Sequence, residues 1–538
     1  MQGLKKQNFL KGAAILAAAS IFVKIVGAIY KIPIFNILDD EGIGYFQVTY
    51  NVYSLILTIS TAGIPVALSR LVSSAAARGQ TSLVKRYFSV SLPVFICIGV
   101  VAMAAMLLFA DKFAEMMNSS PAAPGIRVLA PAVFFVCIIS IYRGYAQGFE
   151  NMIPTAMSQV IEVVSKAAFG IAAAMWLVSM GYESHIISAG AILGVTVGLG
   201  LCVPLLVWYK RRLDRGLDLS NSPPGLPTRL KVFGQLMWVG IPITLSSSFM
   251  SIMVVVDTSV VLGRLQGALM QSVAEANALY GIYTRGLTIY NLPPALIVPV
   301  AVSIVPAIAA AIANNQVDES KSIMQSSMKL NNLLAMPACA GIIALSTPIL
   351  IALFGDYRQI TASVLMVLGA ASFFVCLQLI TMAILQANGL QWAAMISFPV
   401  GAVVRICLSY TLVAIPEVGI LGSPIASLVC FIVMSALNII FIVAKIKTRS
   451  KLGSAFIKPL VSTAVMSVVA YFTYKLIYWL GSGFIGTGRI AICVYLAITI
   501  VVAAVVYLVL IIATRALTME DMKYVPKGEK VAKILRIR

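Results

Sequence analysis

Apolar stretches of roughly 20 residues or more recur from one end of this chain to the other, and each is long enough to cross the ~30 Å hydrocarbon layer of a bilayer as a helix. The chain has 538 residues, 60% of them hydrophobic and only 11% charged, against roughly 25% charged in an ordinary soluble domain. Inside lipid every backbone N–H and C=O must find its partner within the protein, which leaves helices as the spanning element. The reading is an all-α polytopic membrane protein of about fourteen transmembrane helices. The expected spans are 10–36, 44–77, 84–110, 126–149, 155–180, 186–209, 232–263, 277–313, 321–353, 361–387, 391–415, 421–446, 456–480 and 488–515. Few connections exceed a dozen residues, so no soluble catalytic domain fits between them.

The formal net charge is +20, and the placement of Lys and Arg decides what that means. They fall on alternate connections: Lys5, Lys6 and Lys11 before the first span, Arg78, Lys85 and Arg86 after the second, Lys210, Arg211, Arg212 and Arg215 after the sixth, and Lys445, Lys447, Arg449 and Lys451 after the twelfth. The opposite connections are acidic or nearly neutral, with Asp39, Asp40 and Glu41 after the first span and Glu417 after the eleventh. Cytoplasmic loops carry the basic excess, so both termini are expected in the cytoplasm, with anionic lipid headgroups as partner rather than nucleic acid. The basic tail alternates with Val531, Ile534, Leu535 and Ile537 at roughly helical spacing and reads as a membrane-surface segment. The Lys residues and apolar run at the N-terminus imitate a signal peptide, but Lys24 interrupts the run, so the segment is kept as the first span.

The longest cytoplasmic connection, 210–231, centres on Ser222-Pro223-Pro224-Gly225-Leu226-Pro227, a composition that reads as a linker. It divides an N-terminal six-helix lobe (1–209) from a C-terminal one (232–449); two additional helices (450–515) and the tail (516–538) follow. The halves look related. Pro65-Val66-Ala67-Leu68-Ser69 matches Pro299-Val300-Ala301-Val302-Ser303, and Gln147, Ser158 and Lys166 share their mutual spacing with Gln386, Ser397 and Arg405. With an even number of spans in each half, the repeat is parallel. Helix-breaking residues gather at matching places, Pro65 in the second span and Pro293, Pro294, Pro299 and Pro306 in the eighth. They read either as static packing or as hinges beside a cavity.

Ionisable groups inside the spans are the informative residues: Lys24, Lys31, Glu162, Lys166, Asp257, Arg285 and Arg405, with Arg70 and Arg143 nearer the cytoplasmic ends. A charge at the bilayer centre costs roughly 2.5–3.5 kcal/mol on insertion scales, so these groups must meet one another or water. Glu162 and Lys166 are four apart, on one helical face, and pair or act together as a coupling element. Lys24 and Lys31, seven apart, also share a face. Lys31 and Arg285 lie near outer ends, where snorkelling to headgroups is the alternative to a cavity. Lys24, Lys31, Arg70, Arg285 and Arg405 form the candidate cationic cavity, with Asp257 as a possible coupling or ion-pairing acid. Cations drawn from both halves suit a phosphate-bearing cargo, since a guanidinium can bond two phosphate oxygens.

Other chemistry is not expected. The chain has no G-x-x-x-x-G-K-[ST] loop for ATP, so no cofactor is expected and transport draws on an ion gradient, the membrane potential or the cargo gradient. The eight Cys stand singly in apolar spans, without metal or redox spacing, and read as small core residues. The only His, His185, sits at an outer helix end. No catalytic or metal constellation is apparent, and an enzyme is not expected.

Phe9-Leu10-Lys11-Gly12, Gly63-Ile64-Pro65-Val66-Ala67-Leu68-Ser69-Arg70-Leu71-Val72, Tyr142-Arg143-Gly144-Tyr145-Ala146-Gln147-Gly148 and Asn151-Met152-Ile153-Pro154-Thr155-Ala156-Met157-Ser158-Gln159 resemble the stage V sporulation protein B branch of the polysaccharide exporters. That branch lies in the multidrug/oligosaccharidyl-lipid/polysaccharide superfamily and is similar to the MurJ-type lipid II flippases. The resemblance implies two six-helix lobes around a central cavity, alternating access, and two extra helices forming a groove for a lipid tail. The implied cargo is an undecaprenyl-diphosphate-linked glycan, lipid II among them, moved from the inner to the outer leaflet of the bacterial cytoplasmic membrane by a monomer associated with cell-wall synthesis. Of the first-helix pattern Arg-x-x-Gly-x-x-Arg, Lys24 and Gly27 match, whereas the second Arg is Tyr30 with Lys31 beside it. Arg285 resembles the essential Arg of the eighth helix, with Thr288 where a carboxylate is expected one turn later. Asp257 resembles a sodium-coupling acid of the seventh helix, but the eleventh offers Arg405 and no carboxylate.

A lipid-linked precursor flippase is therefore the leading expectation. The rivals are a flippase for a capsule or spore polymer unit, a multidrug exporter, whose cationic substrates need carboxylates, and a non-transporting scaffold working through its basic tail.

Overall fold

A computed structural model describes residues 9–215, 226–446, 452–484 and 486–514, and no strand occurs among them. The centre of the expected linker, the basic residues Lys5, Lys6, Lys447, Arg449 and Lys451, and the tail lie outside the described residues, as do the side chains of Lys11 and Lys24. The helices are α1 (Phe9–Ile37), α2 (Asp40–Thr61), α3 (Ile64–Ala77), α4 (Thr81–Leu108), α5 (Ala110–Met116), α6 (Ala123–Gly148), α7 (Ile153–Ser179), α8 (Ser184–Arg215), α9 (Arg229–Gly267), α10 (Val273–Tyr290), α11 (Leu292–Ala313), α12 (Val317–Ala344), α13 (Ser346–Phe354), α14 (Gln359–Ala387), α15 (Gln391–Leu412), α16 (Gly422–Ile446), α17 (Leu452–Gly481) and α18 (Arg489–Ala513).

Helices occupy all the segments expected to span. Among the described residues twelve segments are long and apolar enough to cross a membrane, and the pair α12 and α13, bent by 78°, adds a thirteenth. The apolar described part of α1, Val26–Ile37, is shorter. Three expected spans are not single rods: α2 gives way to α3 at residues 62–63, α10 to α11 at Asn291, and α12 to α13 at Leu345. Large apolar side chains such as Leu108, Trp238, Met395, Phe472 and Trp479 are exposed, as lipid-facing residues of a multi-pass membrane protein are.

The chain forms two compact units, residues 1–281 and 282–538. The parting falls inside α10, whereas the sequence places a linker at 210–231; α9, which follows that linker, packs on α2 and α3 of the first unit. The reason is visible in the side chains. A Cβ at Gly63 would lie 1.9 Å from the Gly240 carbonyl oxygen, so the helices meet backbone to backbone there. Further along, Ser251 donates to Thr58 at 3.0 Å, and Asn51 donates to Thr258 at 2.9 Å and to the Tyr280 hydroxyl at 3.3 Å. Close approach over small residues and polar bonds between helices replace the hydrophobic driving force that lipid removes.

In the same unit α7 and α8 are locked over glycines. Cβ atoms at Gly194 and Gly198 would meet the carbonyl oxygens of Lys166 and Glu162 at 2.4 and 2.9 Å. In the second unit Ile297, Ile304 and Ile308 of α11 pack with Ile323 and Met324 of α12 and Ile380 and Ile384 of α14. The two surplus helices dock through a separate cluster, in which Met466 and Ala470 of α17 and Ile492, Leu496 and Tyr507 of α18 meet Leu333 of α12 and Ile351 of α13. The Tyr507 hydroxyl donates to the Leu333 carbonyl at 2.9 Å.

The prolines fall at two kinds of place. Pro65, Pro293 and Pro294 occupy the first turns of α3 and α11, where a missing N–H leaves no bond broken. Pro299 and Pro306 lie inside α11, so Pro65 and its sequence match Pro299 differ in their relation to the helix break. The cysteines do not all serve as core: Cys137, Cys202, Cys339, Cys376 and Cys430 are buried, but Cys97, Cys407 and Cys493 are exposed.

Candidate functional site

In the first unit the charged groups of α1, α6 and α7 gather among tyrosines of α1 and α2. The anticipated pairing of Glu162 with Lys166 is not the one formed. Glu162 accepts from Arg143 of α6 at 3.0 Å, and Arg143 also donates to Ser158 at 2.8 Å, whose own hydroxyl donates to the Thr155 carbonyl. A guanidinium reaches two acceptors on neighbouring turns of α7, which a lysine one turn along the same helix cannot match in geometry. The Lys166 ammonium lies instead 4.9 Å from the centre of the Tyr50 ring and 5.3 Å from that of Tyr30. Lys31 sits 5.9 Å from the Phe35 ring, close enough to Lys166 for the two charges to repel. Among the described residues neither lysine reaches a carboxylate within ion-pair distance.

Elsewhere in this unit Asp257 is buried on α9, where neighbouring groups engage it, beside Thr258 of the α2 to α9 polar bonds. Arg70 is exposed on α3. His185 pairs with Glu183 at 3.3 Å at the start of α8.

The second unit builds its charged site around a carboxylate that the sequence reading did not single out. Asp356 follows α13, which is closed by Gly355 in the left-handed conformation at φ 65°, the usual residue for such a cap. One Asp356 oxygen accepts from Arg358 Nη2 at 2.6 Å, from Thr361 at 2.9 Å and from Arg285 Nη1 at 3.1 Å. The other accepts from Arg358 Nε at 2.9 Å and from the Arg358 backbone N–H at 3.0 Å. Burial pushes the Asp356 carboxyl up, but the bonds from Arg358 and Thr361, with the Arg358 charge, outweigh it and hold the group well below the ordinary carboxylate range. The Arg285 guanidinium also lies 6.0 Å from the Phe354 ring. Arg285, Phe354, Gly355, Asp356, Tyr357 and Arg358 line a cleft of about 420 Å³.

Thr288, one turn after Arg285, turns its hydroxyl back onto the Thr284 carbonyl at 3.3 Å, so the acid beside Arg285 comes from a different helix connection. The signal in sequence was Asp356-Tyr357-Arg358, two opposite charges between apolar runs. Arg405 of α15 donates to the Tyr283 hydroxyl at 3.4 Å. The sequence match of Lys166 with Arg405 thus extends to their surroundings: each cation meets a tyrosine, Tyr50 and Tyr283, that is the eleventh residue of its helix. Their companions Ser158 and Ser397 are both fully buried.

Compared with known proteins, residues 9–312 match the family described as polysaccharide biosynthesis protein. Three proteins of Bacillus subtilis (strain 168) are similar along nearly their whole length. The uncharacterized membrane protein YabM is 28% identical over 100% of this chain and 98% of its own. Stage V sporulation protein B is 26% identical over 97% and 98%, and lipid II flippase MurJ is 25% identical over 93% and 94%. Among solved structures, lipid II flippase MurJ in an inward closed conformation superposes with a TM-score of 0.66 at 15% identity, covering 92% of this chain and 98% of that one. The fold expectation of an all-helical MurJ-like membrane protein holds.

Proposed function

For a chain that belongs to the polysaccharide biosynthesis protein family, we propose the role of a flippase, moving an undecaprenyl-diphosphate-linked glycan of the lipid II class from the inner to the outer leaflet by alternating access. The observation that carries this reading is the excess of cations over carboxylates within apolar helices. In the second unit Arg285 and Arg358 both bond the carboxylate of Asp356 at the cleft of about 420 Å³, and Arg405 adds a further guanidinium. Such groups offer forked donors to diphosphate oxygens. They disfavour the organic cations a multidrug exporter handles, since like charges repel in a low dielectric. The similarity to lipid II flippase MurJ supports a lipid-linked glycan as cargo.

The test is rescue of a strain depleted of its lipid II flippase, with lipid II scored at the outer leaflet. Wild-type protein should restore outer-leaflet lipid II, and the combined Lys24→Ala, Arg285→Ala, Arg405→Ala variant, at equal expression, should not. Full rescue by that variant sinks the assignment of the cations. Rescue only of a strain lacking a capsule or spore-polymer flippase moves the cargo to another polyprenyl-linked unit, the reading that similarity to stage V sporulation protein B also favours.

A further inference from the structure

Among the described side chains around α7 the charges do not balance. Around α7 stand three cations, Lys31, Arg143 and Lys166, and one acid, Glu162, which is already bonded to Arg143 at 3.0 Å. The tyrosines beside them, Tyr30, Tyr50 and Tyr53, supply ring faces and hydroxyls but no negative charge. Ring faces attract an ammonium without accepting its hydrogen bonds as oxygen does. Each lysine carries three N–H donors, and among the described residues neither finds a hydrogen-bond acceptor. Uncompensated charge inside a membrane helix bundle is costly, and it is met by a partner or by water.

A second observation points the same way. Tyr30 is 3% exposed, yet its hydroxyl has no hydrogen-bond partner among the described residues. That hydroxyl lies over Gly170, one turn beyond Lys166, 3.3 Å from where a Cβ at Gly170 would stand. A buried hydroxyl left unsatisfied costs free energy comparable to a lost hydrogen bond, and here the Lys166 ammonium lies 5.3 Å from the same ring.

We infer that the first unit holds a small inorganic anion between α1, α2 and α7, balancing Lys31 and Lys166 and accepting the hydrogen bonds that their ammonium groups and the Tyr30 hydroxyl lack. Chloride and hydrogen phosphate both have this chemistry, one spherical and one able to accept from three donors at once. The residues of this site all belong to the first unit, whereas Arg285 and Arg405 belong to the second. The site is present whether or not the protein carries a lipid-linked glycan.

The experiment uses the purified full-length protein in phosphatidylcholine nanodiscs, in gluconate buffer, with chloride or inorganic phosphate titrated at constant ionic strength. Apparent melting temperature should rise saturably with one of these anions by at least about 2 °C, and Lys166→Gln should abolish the rise. Chloride-35 line broadening, displaceable by whichever anion stabilises, should accompany binding in the wild type. Tyr30→Phe, which removes only a hydroxyl, serves if Lys166→Gln does not fold, and should weaken the anion roughly tenfold. No saturable response to either anion, an equal response in Lys166→Gln, or unchanged affinity in Tyr30→Phe overturns the inference. So does stabilisation by phosphatidylglycerol in the nanodisc without any effect of the free anions, which would make the ligand a lipid headgroup. Since no cargo is present, failure here leaves the flippase reading standing, and failure of rescue by the wild type leaves this site standing.

Discussion

The Lys166 ammonium faces the ring of Tyr50 at 4.9 Å, and the corresponding guanidinium of the second unit, Arg405, meets Tyr283 at the same position of its helix. The repeat therefore preserves a pairing between the second and fifth spans of each half, although the contact has changed from a ring face to a hydroxyl.

A double-mutant cycle measures the first of these pairs. Tyr50→Leu and Lys166→Met should couple by roughly 0.5–2 kcal/mol, the range for a cation on an aromatic face in partly desolvated surroundings. Tyr50→Phe keeps the ring and should stay within about 0.5 kcal/mol of wild type in detergent unfolding. A loss in Tyr50→Phe as large as in Tyr50→Leu would assign the interaction to the hydroxyl instead.

Asp356 should be the most sensitive residue of the second site. Asp356→Ala removes an acid that the buried Arg285 bonds at 3.1 Å, and removing one partner of a buried ion pair costs about 3–5 kcal/mol. Because the Arg358 side chain is 44% exposed, Arg358→Ala should cost only about 1 kcal/mol, water screening much of that pair. Denaturant unfolding of the two variants checks the order.

The same carboxylate gives the protein an acid-sensitive margin. Its folded-state proton affinity is depressed, so its contribution is complete above the unfolded-state value of about 3.9 and is lost as pH falls through the lower folded value. Apparent melting temperature should therefore decline below about pH 4 with a slope that Asp356→Asn reduces. A wild-type and a variant curve of the same slope would remove Asp356 from the acid transition.

Gly194→Val tests how α8 sets the position of Lys166. A Cβ at Gly194 would stand 2.4 Å from the Lys166 carbonyl oxygen and 2.5 Å from the Gly170 nitrogen, both backbone atoms that cannot rotate away. The helices must part, at a cost of about 1–3 kcal/mol or more. The chloride and phosphate responses of this variant should be weaker than in the wild type, since α7 carries Lys166 and Gly170.

The helical segments were legible because hydropathy and helix length follow directly from bilayer thickness. Their breaks at residues 62–63, Asn291 and Leu345 were less so, since an apolar run reads the same whether it is straight or bent by 78°. Asp356 escaped notice because it lies in a short connection; what makes it part of a site is the fold of α13 back beside Arg285, a contact 71 positions apart in sequence. Glu162 misled by periodicity: a partner at i+4 was available, yet Arg143 on a neighbouring helix bonds Glu162 and Ser158 together. The correspondence of Lys166 with Arg405 came from spacing alone, whereas the tyrosines that give it meaning sit on another helix.

Arg489, the first residue of α18, donates to the carbonyls of Ala352 and Leu353 at the end of α13. Only Phe354 and Gly355 separate those carbonyls from Asp356. The final helix pair thus has a handle on the carboxylate that restrains Arg285: a tilt of α18 pulls on the last turn of α13 and, through two residues of chain, on the acid itself.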